Sequence, residues 1–229
     1  MRLFLFLLSL GVLWGCAEPV TRADTNGGEG QARILTMGDS LLASHGISGR
    51  AVSDVLEAQL GEPVIDRSVL GARVIYKLPI SGSAGLNIGQ QFRPGDWDWI
   101  VLNGGGNDLW LGCGCSRCER KVEKLISEDG KSGAIPQMLA RLRGTGAKVV
   151  YVGYLRSPGV PSPIDSCREV GDLLEGRIAA AAQADAGLYF VSLADLVPEG
   201  DRSFHGLDMI HPSAKASAAI AGRIARVIR

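Results

Sequence analysis

The sequence of 229 residues has no surplus of charge of either sign, with 24 lysines and arginines against 24 aspartates and glutamates. A chain so balanced projects no field that would gather nucleic acid or an anionic surface, so nucleic-acid binding is not supported. Its one dense charge run, Glu119-Arg120-Lys121-Val122-Glu123-Lys124, alternates in sign at helical spacing and reads as a solvated helix face. The apolar run Leu3 to Trp14 is too short to span a bilayer. No internal repeat is present, and no Gly-x-Ser-x-Gly occurs, which argues against a strand-to-helix nucleophile elbow of the α/β-hydrolase kind. Gly130-Lys131-Ser132 looks like the end of a P-loop, but Leu125 stands where the first glycine must be and no strand leads into it. Histidine is scarce, and His45 and His205 have no carboxylate or cysteine partner at ligand spacing, so both read as structural or pocket-lining residues rather than metal ligands.

What is present begins with an export signal over residues 1–16, with Arg2 as the positive start and Leu3 to Trp14 as the apolar segment. Leu13-Trp14-Gly15-Cys16 resembles the lipobox of bacterial lipoproteins, while Gly15-Cys16-Ala17 also fits a small-residue signal-peptidase site. Lipidation at Cys16 is favoured, because residues 17–31 are polar and glycine-rich and read as a tether. The aspartate that resembles an inner-membrane retention signal is missing after Cys16, so the expected product is an outer-membrane lipoprotein, touching the membrane through its N-terminal lipid. A soluble periplasmic protein is the alternative. Residues 32–229 have the length of one well-buried domain.

Export leaves Cys113, Cys115, Cys118 and Cys167, an even number for which disulfides are the expected outcome. The competing reading is a tetrahedral thiolate zinc site, which an oxidising compartment disfavours. Four cysteines allow three pairings. At least one bridge is expected to involve Cys167, pinning the loop after Asn107 against the loop after the fourth strand.

Apolar β-type runs at Arg33 to Met37, Val64 to Ser68, Trp99 to Asn103, Val149 to Gly153 and Leu188 to Ser192 alternate with helical patterns at about Arg50 to Leu60, Gly133 to Arg143 and Glu169 to Ala184. This alternation implies an α/β fold, a parallel five-stranded sheet covered on both faces in three layers. Ala216, Ile220, Ile224 and Ile228 give a closing helix one buried face, and Pro79 to Pro94 reads as a long surface loop. Ligands of open parallel sheets collect beyond the carboxyl ends of the strands. There the sequence places Gly38-Asp39-Ser40 and Gly104-Gly105-Gly106-Asn107-Asp108. Near the end, Asp208-Met209-Ile210-His211 puts an acid where it can accept from Nδ1 and set the tautomer in which Nε2 takes a proton from a nucleophile.

Gly38-Asp39-Ser40, Gly71, Gly105-Gly106-Asn107-Asp108 and Asp208-Met209-Ile210-His211 form an ordered set that resembles the SGNH hydrolases, the GDSL-type esterases and lipases. The resemblance implies a flavodoxin-like fold and hydrolysis of small acyl esters through an acyl-enzyme, with no cofactor or metal. It implies Ser40 as nucleophile, His211 as general base and Asp208 as its orienting acid. The oxyanion hole would comprise the Ser40 N–H, the Gly71 N–H and the Asn107 amide, a side chain at Gly71 being expected to block the oxygen. Leu42-Ala43-Ser44-His45-Gly46, Ser68-Val69-Leu70-Gly71 without an upstream Asn, and the excursion Leu111 to Cys118, which reads as a disulfide-stapled loop of the pocket wall, depart from the family pattern, and substrate preference is not implied. Trp110 and Tyr154-Leu155-Arg156 are candidates to line the pocket. A non-catalytic binding lipoprotein on the same scaffold is the rival reading.

Overall fold

The computed structural model describes residues 32–159 and 161–229, so the export signal, Cys16 and the tether lie outside the described residues. Five short apolar runs form strands: β1 (Ile34–Met37), β2 (Val64–Asp66), β3 (Trp99–Leu102), β4 (Lys148–Val152) and β5 (Leu188–Val191). All pair in parallel, in the order β2-β1-β3-β4-β5. Side chains alternate between faces along a strand, so each run divides itself between two cores. Leu35, Met37, Ile100, Leu102, Val149 and Tyr151 face one core. Ile34, Val101, Val150 and Val152 face the other. The expected three-layer parallel architecture is the one observed.

The helices of the described residues are α1 (Ser40–Ala43), α2 (Val52–Leu60), α3 (Pro79–Ser81), α4 (Ile88–Gln91), α5 (Gly106–Cys113), α6 (Glu119–Leu125), α7 (Ala134–Arg143), α8 (Arg168–Gln183) and α9 (Ala214–Ile228). On one side of the sheet α9 packs against α2, with Ala216, Ile220 and Ile224 wholly buried beside Val52 and Leu56. Each such aliphatic side chain contributes roughly 1.5–3 kcal/mol relative to exposure. Helices α5 to α8 cover the opposite face through Leu109, Val122, Leu125, Ile135, Leu139, Leu142, Leu174 and Ile178.

Two expectations need revising. The segment 79–94 is not one open loop, because it carries α3, a wide helical turn at Gly82–Leu86 and α4, with Ile88 and Gln91 buried. Its glycines hide the helical pattern, and burial of two residues supplies what local propensity does not. The stretch Leu111 to Cys118 also begins as helix, since α5 runs through Cys113 before the chain turns at Gly114.

The strand order reverses direction between β1 and β3. In sheets of this order a crevice opens there, outside the carboxyl ends of the strands. Ser40 follows β1 and Asn107 follows β3, so both stand at that crevice.

Candidate active site

The turn after β1 is held from three sides. Gly38 has φ +155°, and a Cβ added there would stand 1.8 Å from Asn103 Oδ1, so no other residue fits without moving Asn103. The buried Gln91 side chain accepts from the Gly38 N–H at 2.7 Å and donates to the Gly38 carbonyl at 2.9 Å and the Gly85 carbonyl at 2.8 Å. Asp39 caps α1 by accepting from the Leu41 N–H at 3.0 Å. It also accepts from Asn103 Nδ2 at 2.7 Å and from the Tyr154 hydroxyl at 2.5 Å, while its own N–H donates to Asn103 Oδ1 at 3.0 Å. Burial pushes the Asp39 carboxyl above its ordinary value, with the Tyr154, Leu41 and Asn103 donors pulling the other way. Asp39 is thus the hub of the turn, and Ser40 is delivered at the first position of α1, partly exposed.

Two turns meet at the end of β3. The Gly106 N–H donates to the Tyr154 hydroxyl at 3.0 Å, so one oxygen links the β1, β3 and β4 ends. Asn107 Nδ2 donates to the Ala72 carbonyl at 3.1 Å. A side-chain amide has two N–H donors, so a second is left for a ligand. Buried Asp108 accepts from the Val74 and Ile75 N–H groups, each at 2.8 Å. Burial lifts its carboxyl to about 6, although the Ile75 and Val74 bonds favour the charged form. These bonds fasten the segment that follows Gly71 to α5. Gly71 has φ +76°, and an added Cβ would meet no atom within 4 Å. The backbone conformation therefore favours glycine at 71, and no protein atom crowds the position.

His211 sits on a loop that is locked in place. Asp208 Oδ2 lies 2.5 Å from His211 Nδ1, and Asp208 Oδ1 accepts from the Ile210 and His211 N–H groups, each at 3.0 Å. Desolvation works against the Asp208 charge, but the His211 ring and these two N–H groups outweigh it and hold the carboxyl below its usual range. Met209, between them, has φ +56°, a left-handed conformation that costs about 1–2 kcal/mol in a residue with a side chain. It is fixed by the Met209 N–H on the Gly206 carbonyl, by Ser162 Oγ on the Met209 carbonyl and by the Gly206 N–H on the His211 carbonyl. His45 Nε2 is 2.9 Å from the Pro212 carbonyl, which joins the α1 loop to the His211 loop. His205 is buried, with neither ring nitrogen hydrogen-bonded among the described residues.

Ser40, Asn107 and His211 line a single pocket, with Asp208 reaching His211 from behind. Gly71 stands outside that lining, at an exposed turn one residue from the Asn107 partner Ala72. Trp110, Tyr154, Leu155 and Arg156 all line the pocket, as the sequence suggested. Gln91 and Asn103 were not singled out from the sequence, since their partners are backbone groups and an acid distant along the chain. Cys115 pairs with Cys167 and Cys113 with Cys118, Cα separations of 4.8 and 5.5 Å. All four thiols are consumed, which displaces the zinc reading. The Cys115–Cys167 bridge fixes the end of α5 to the start of α8, as expected for the loops after Asn107 and after the fourth strand.

A profile of the GDSL-like Lipase/Acylhydrolase family matches residues 36–219. Among solved structures, a protein from Slackia heliotrinireducens assigned to the SGNH hydrolases superposes with a TM-score of 0.59 at 19% identity, covering 87% of this chain and 100% of that one. Est24, a carbohydrate acetylesterase from Sinorhizobium meliloti, gives 0.55 at 18% identity over 86% of this chain and 98% of its own. A carbohydrate esterase family 2 enzyme from Myceliophthora fergusii gives 0.58 at 17% identity over 88% and 67%. At these identities the likeness is one of fold. No curated protein is similar enough in sequence to count as a match.

Proposed function

Because the chain belongs to the GDSL-like lipase/acylhydrolase family, the SGNH hydrolases, we propose that it is a serine esterase that cleaves carboxylic esters through an acyl-enzyme on Ser40. The observation that carries this reading is the Asp208–His211 contact at 2.5 Å, with His211, Ser40 and Asn107 lining the same pocket.

In the proposed cycle His211 Nε2 takes the Ser40 proton as Oγ attacks the ester carbonyl, and Asp208 stabilises the imidazolium that results. Charge then develops on the carbonyl oxygen. The Ser40 and Gly71 N–H groups, neither of them hydrogen-bonded within the described residues, and the second Asn107 amide proton are the donors assigned to it. Collapse expels the alcohol, which leaves with the proton from His211. Water then attacks the acyl-Ser40 carbonyl, with His211 again as base, and releases the acid. The carbohydrate esterases of similar fold, one of them an acetylesterase, support ester substrates in general, and at 17–18% identity they carry no acyl group over to this chain.

Hydrolysis of p-nitrophenyl acetate and butyrate tests the reading. Ser40→Ala should lower kcat about a thousandfold or more. Wild-type turnover in that variant would exclude Ser40 as the nucleophile. Export belongs to the same proposal and is supported by the two disulfides, which persist in oxidising compartments. Anchoring through a diacylglyceryl group on Cys16 rests on the lipobox-like sequence, and the mass of the mature N-terminus decides between it and a soluble form.

A further inference from the structure

Helix α8 presents one face to the pocket. Arg168, Gly171, Leu174 and Glu175 all line it, at the spacing of one helical stripe. Of the two glycines in α8, Gly171 and Gly176, only Gly171 borders the pocket. It sits in the first turns of a helix of 16 residues, where glycine is among the least favourable choices. An added Cβ at this position would meet nothing within 4 Å. Neither backbone conformation nor crowding therefore calls for glycine at 171.

The pocket that Gly171 borders is largely apolar. Leu109, Trp110, Leu155, Ile164 and Leu174 form its sides, and the Cys115–Cys167 bridge fixes α8 against α5. The charged groups of the wall are largely occupied with one another. Arg156 Nη1 donates to Glu175 Oε1 at 2.9 Å and Nη2 to Glu175 Oε2 at 3.0 Å, and Arg156 also binds Asp172 at 2.5 Å. Glu175 Oε1 further accepts from the Tyr154 N–H at 2.8 Å. The Arg168 side chain, exposed at the start of the stripe, has no partner among the described residues, so an anion has one free cation at the pocket; beside Arg156 and Glu175 it would have to break these bonds, whereas an alkyl chain would not. The whole pocket, its end at Ser40, Asn107 and His211 included, measures about 110 Å³. A dry cavity of about 150 Å³ takes benzene, so this one suits a chain of about four carbons.

The geometry points to Gly171 as the residue that sets acyl length: it holds open an apolar slot for a short unbranched acyl chain, larger than acetyl, on the ester cleaved at Ser40. This inference rests on the esterase reading and adds the substrate class to it. Burial of each methylene in such a slot favours the longer ester about fourfold.

The test compares p-nitrophenyl acetate, butyrate and octanoate with the wild type, Gly171→Ala and Gly171→Leu. Both substitutions favour helix, so loss of fold is not expected. In the wild type, kcat/KM for butyrate should exceed that for acetate about fifteenfold, two methylenes at about fourfold each. Gly171→Leu should shrink that ratio about tenfold, with Gly171→Ala in between. An unchanged ratio in both variants overturns the proposal, as does a wild type that favours acetate. A series of alkyl acetates serves as the counter-test, because a response to Gly171→Leu confined to alcohol length would place the leaving group in the slot and overturn it equally. Quenching of tryptophan emission by 1-bromobutane in Ser40→Ala protein reads the slot without turnover. Quenching that Trp110→Phe and Gly171→Leu both abolish, together with a wild type that cleaves none of these esters, would sustain the slot and sink the esterase. Absence of both quenching and chain-length preference sinks the slot alone if acetate is still cleaved.

Discussion

The Tyr154 hydroxyl donates to Asp39 and accepts from the Gly106 N–H, so a single oxygen spans the turn that carries Ser40 and the turn that carries Asn107. Its removal in Tyr154→Phe leaves a buried carboxylate oxygen and a backbone N–H short of a partner, at a cost of about 1–3 kcal/mol. Tyr154 acts through these turns and is a positioning residue. The expected outcome is a kcat lowered about tenfold to a hundredfold with KM little changed, in a protein whose circular dichroism is that of the wild type. A wild-type kcat would show that the turns hold their places without the hydroxyl. Ser40, Asn107, Asp208 and His211 were legible in the sequence because the proposed chemistry demands those side chains at short fixed spacings. Tyr154 was legible only as a pocket candidate. Asn103 and Gln91 were not legible at all, because what they bind is the backbone of Gly38 or the Asp39 unit, brought to them only by the fold.

Helices α5 and α8 both line the pocket, and Cys115–Cys167 ties them across 52 positions. The chain-entropy argument gives such a bridge about 4 kcal/mol, against about 2 kcal/mol for Cys113–Cys118 with its separation of 5. Its further effect is on alignment, since α5 begins at Gly106-Asn107. Mild reduction should therefore lower ester turnover before the far-ultraviolet signal changes, and Cys115→Ser with Cys167→Ser should do the same without reductant. Parallel loss of activity and structure would refute an alignment role. The five strands could be read from the sequence because strands buried on both faces appear as continuous apolar runs. α5 could not, because its Gly106 start and cysteine-bearing end resemble a loop until Leu109 is seen buried beneath it.

For the molecule as a whole, Asp108 gives stability an unusual dependence on pH. Its carboxyl titrates near 6 in the folded protein, above the ordinary 3.8, so the folded state binds the extra proton between those values. The stabilisation is fully present below about pH 4 and is lost as pH rises through about 6, amounting to about 3 kcal/mol. Buried His205 works in the opposite sense: burial lowers its titration despite nearby Asp208, so its contribution is lost as pH falls below its unfolded value. Urea unfolding of wild type and Asp108→Asn at pH 4, 5, 6 and 7 separates the two. The deficit of the variant should shrink by about 3 kcal/mol across that range, and a deficit that does not vary with pH would show that Asp108 does not titrate there. The link between Cys115 and Cys167 also bears on survival among proteases. The exposed turn at Glu128-Asp129 lies inside the covalent ring that this bridge closes. A peptidase that severs the chain there makes two polypeptides that remain one molecule, with Ser40 and His211 still joined through sulfur, so the first cut does not release either half.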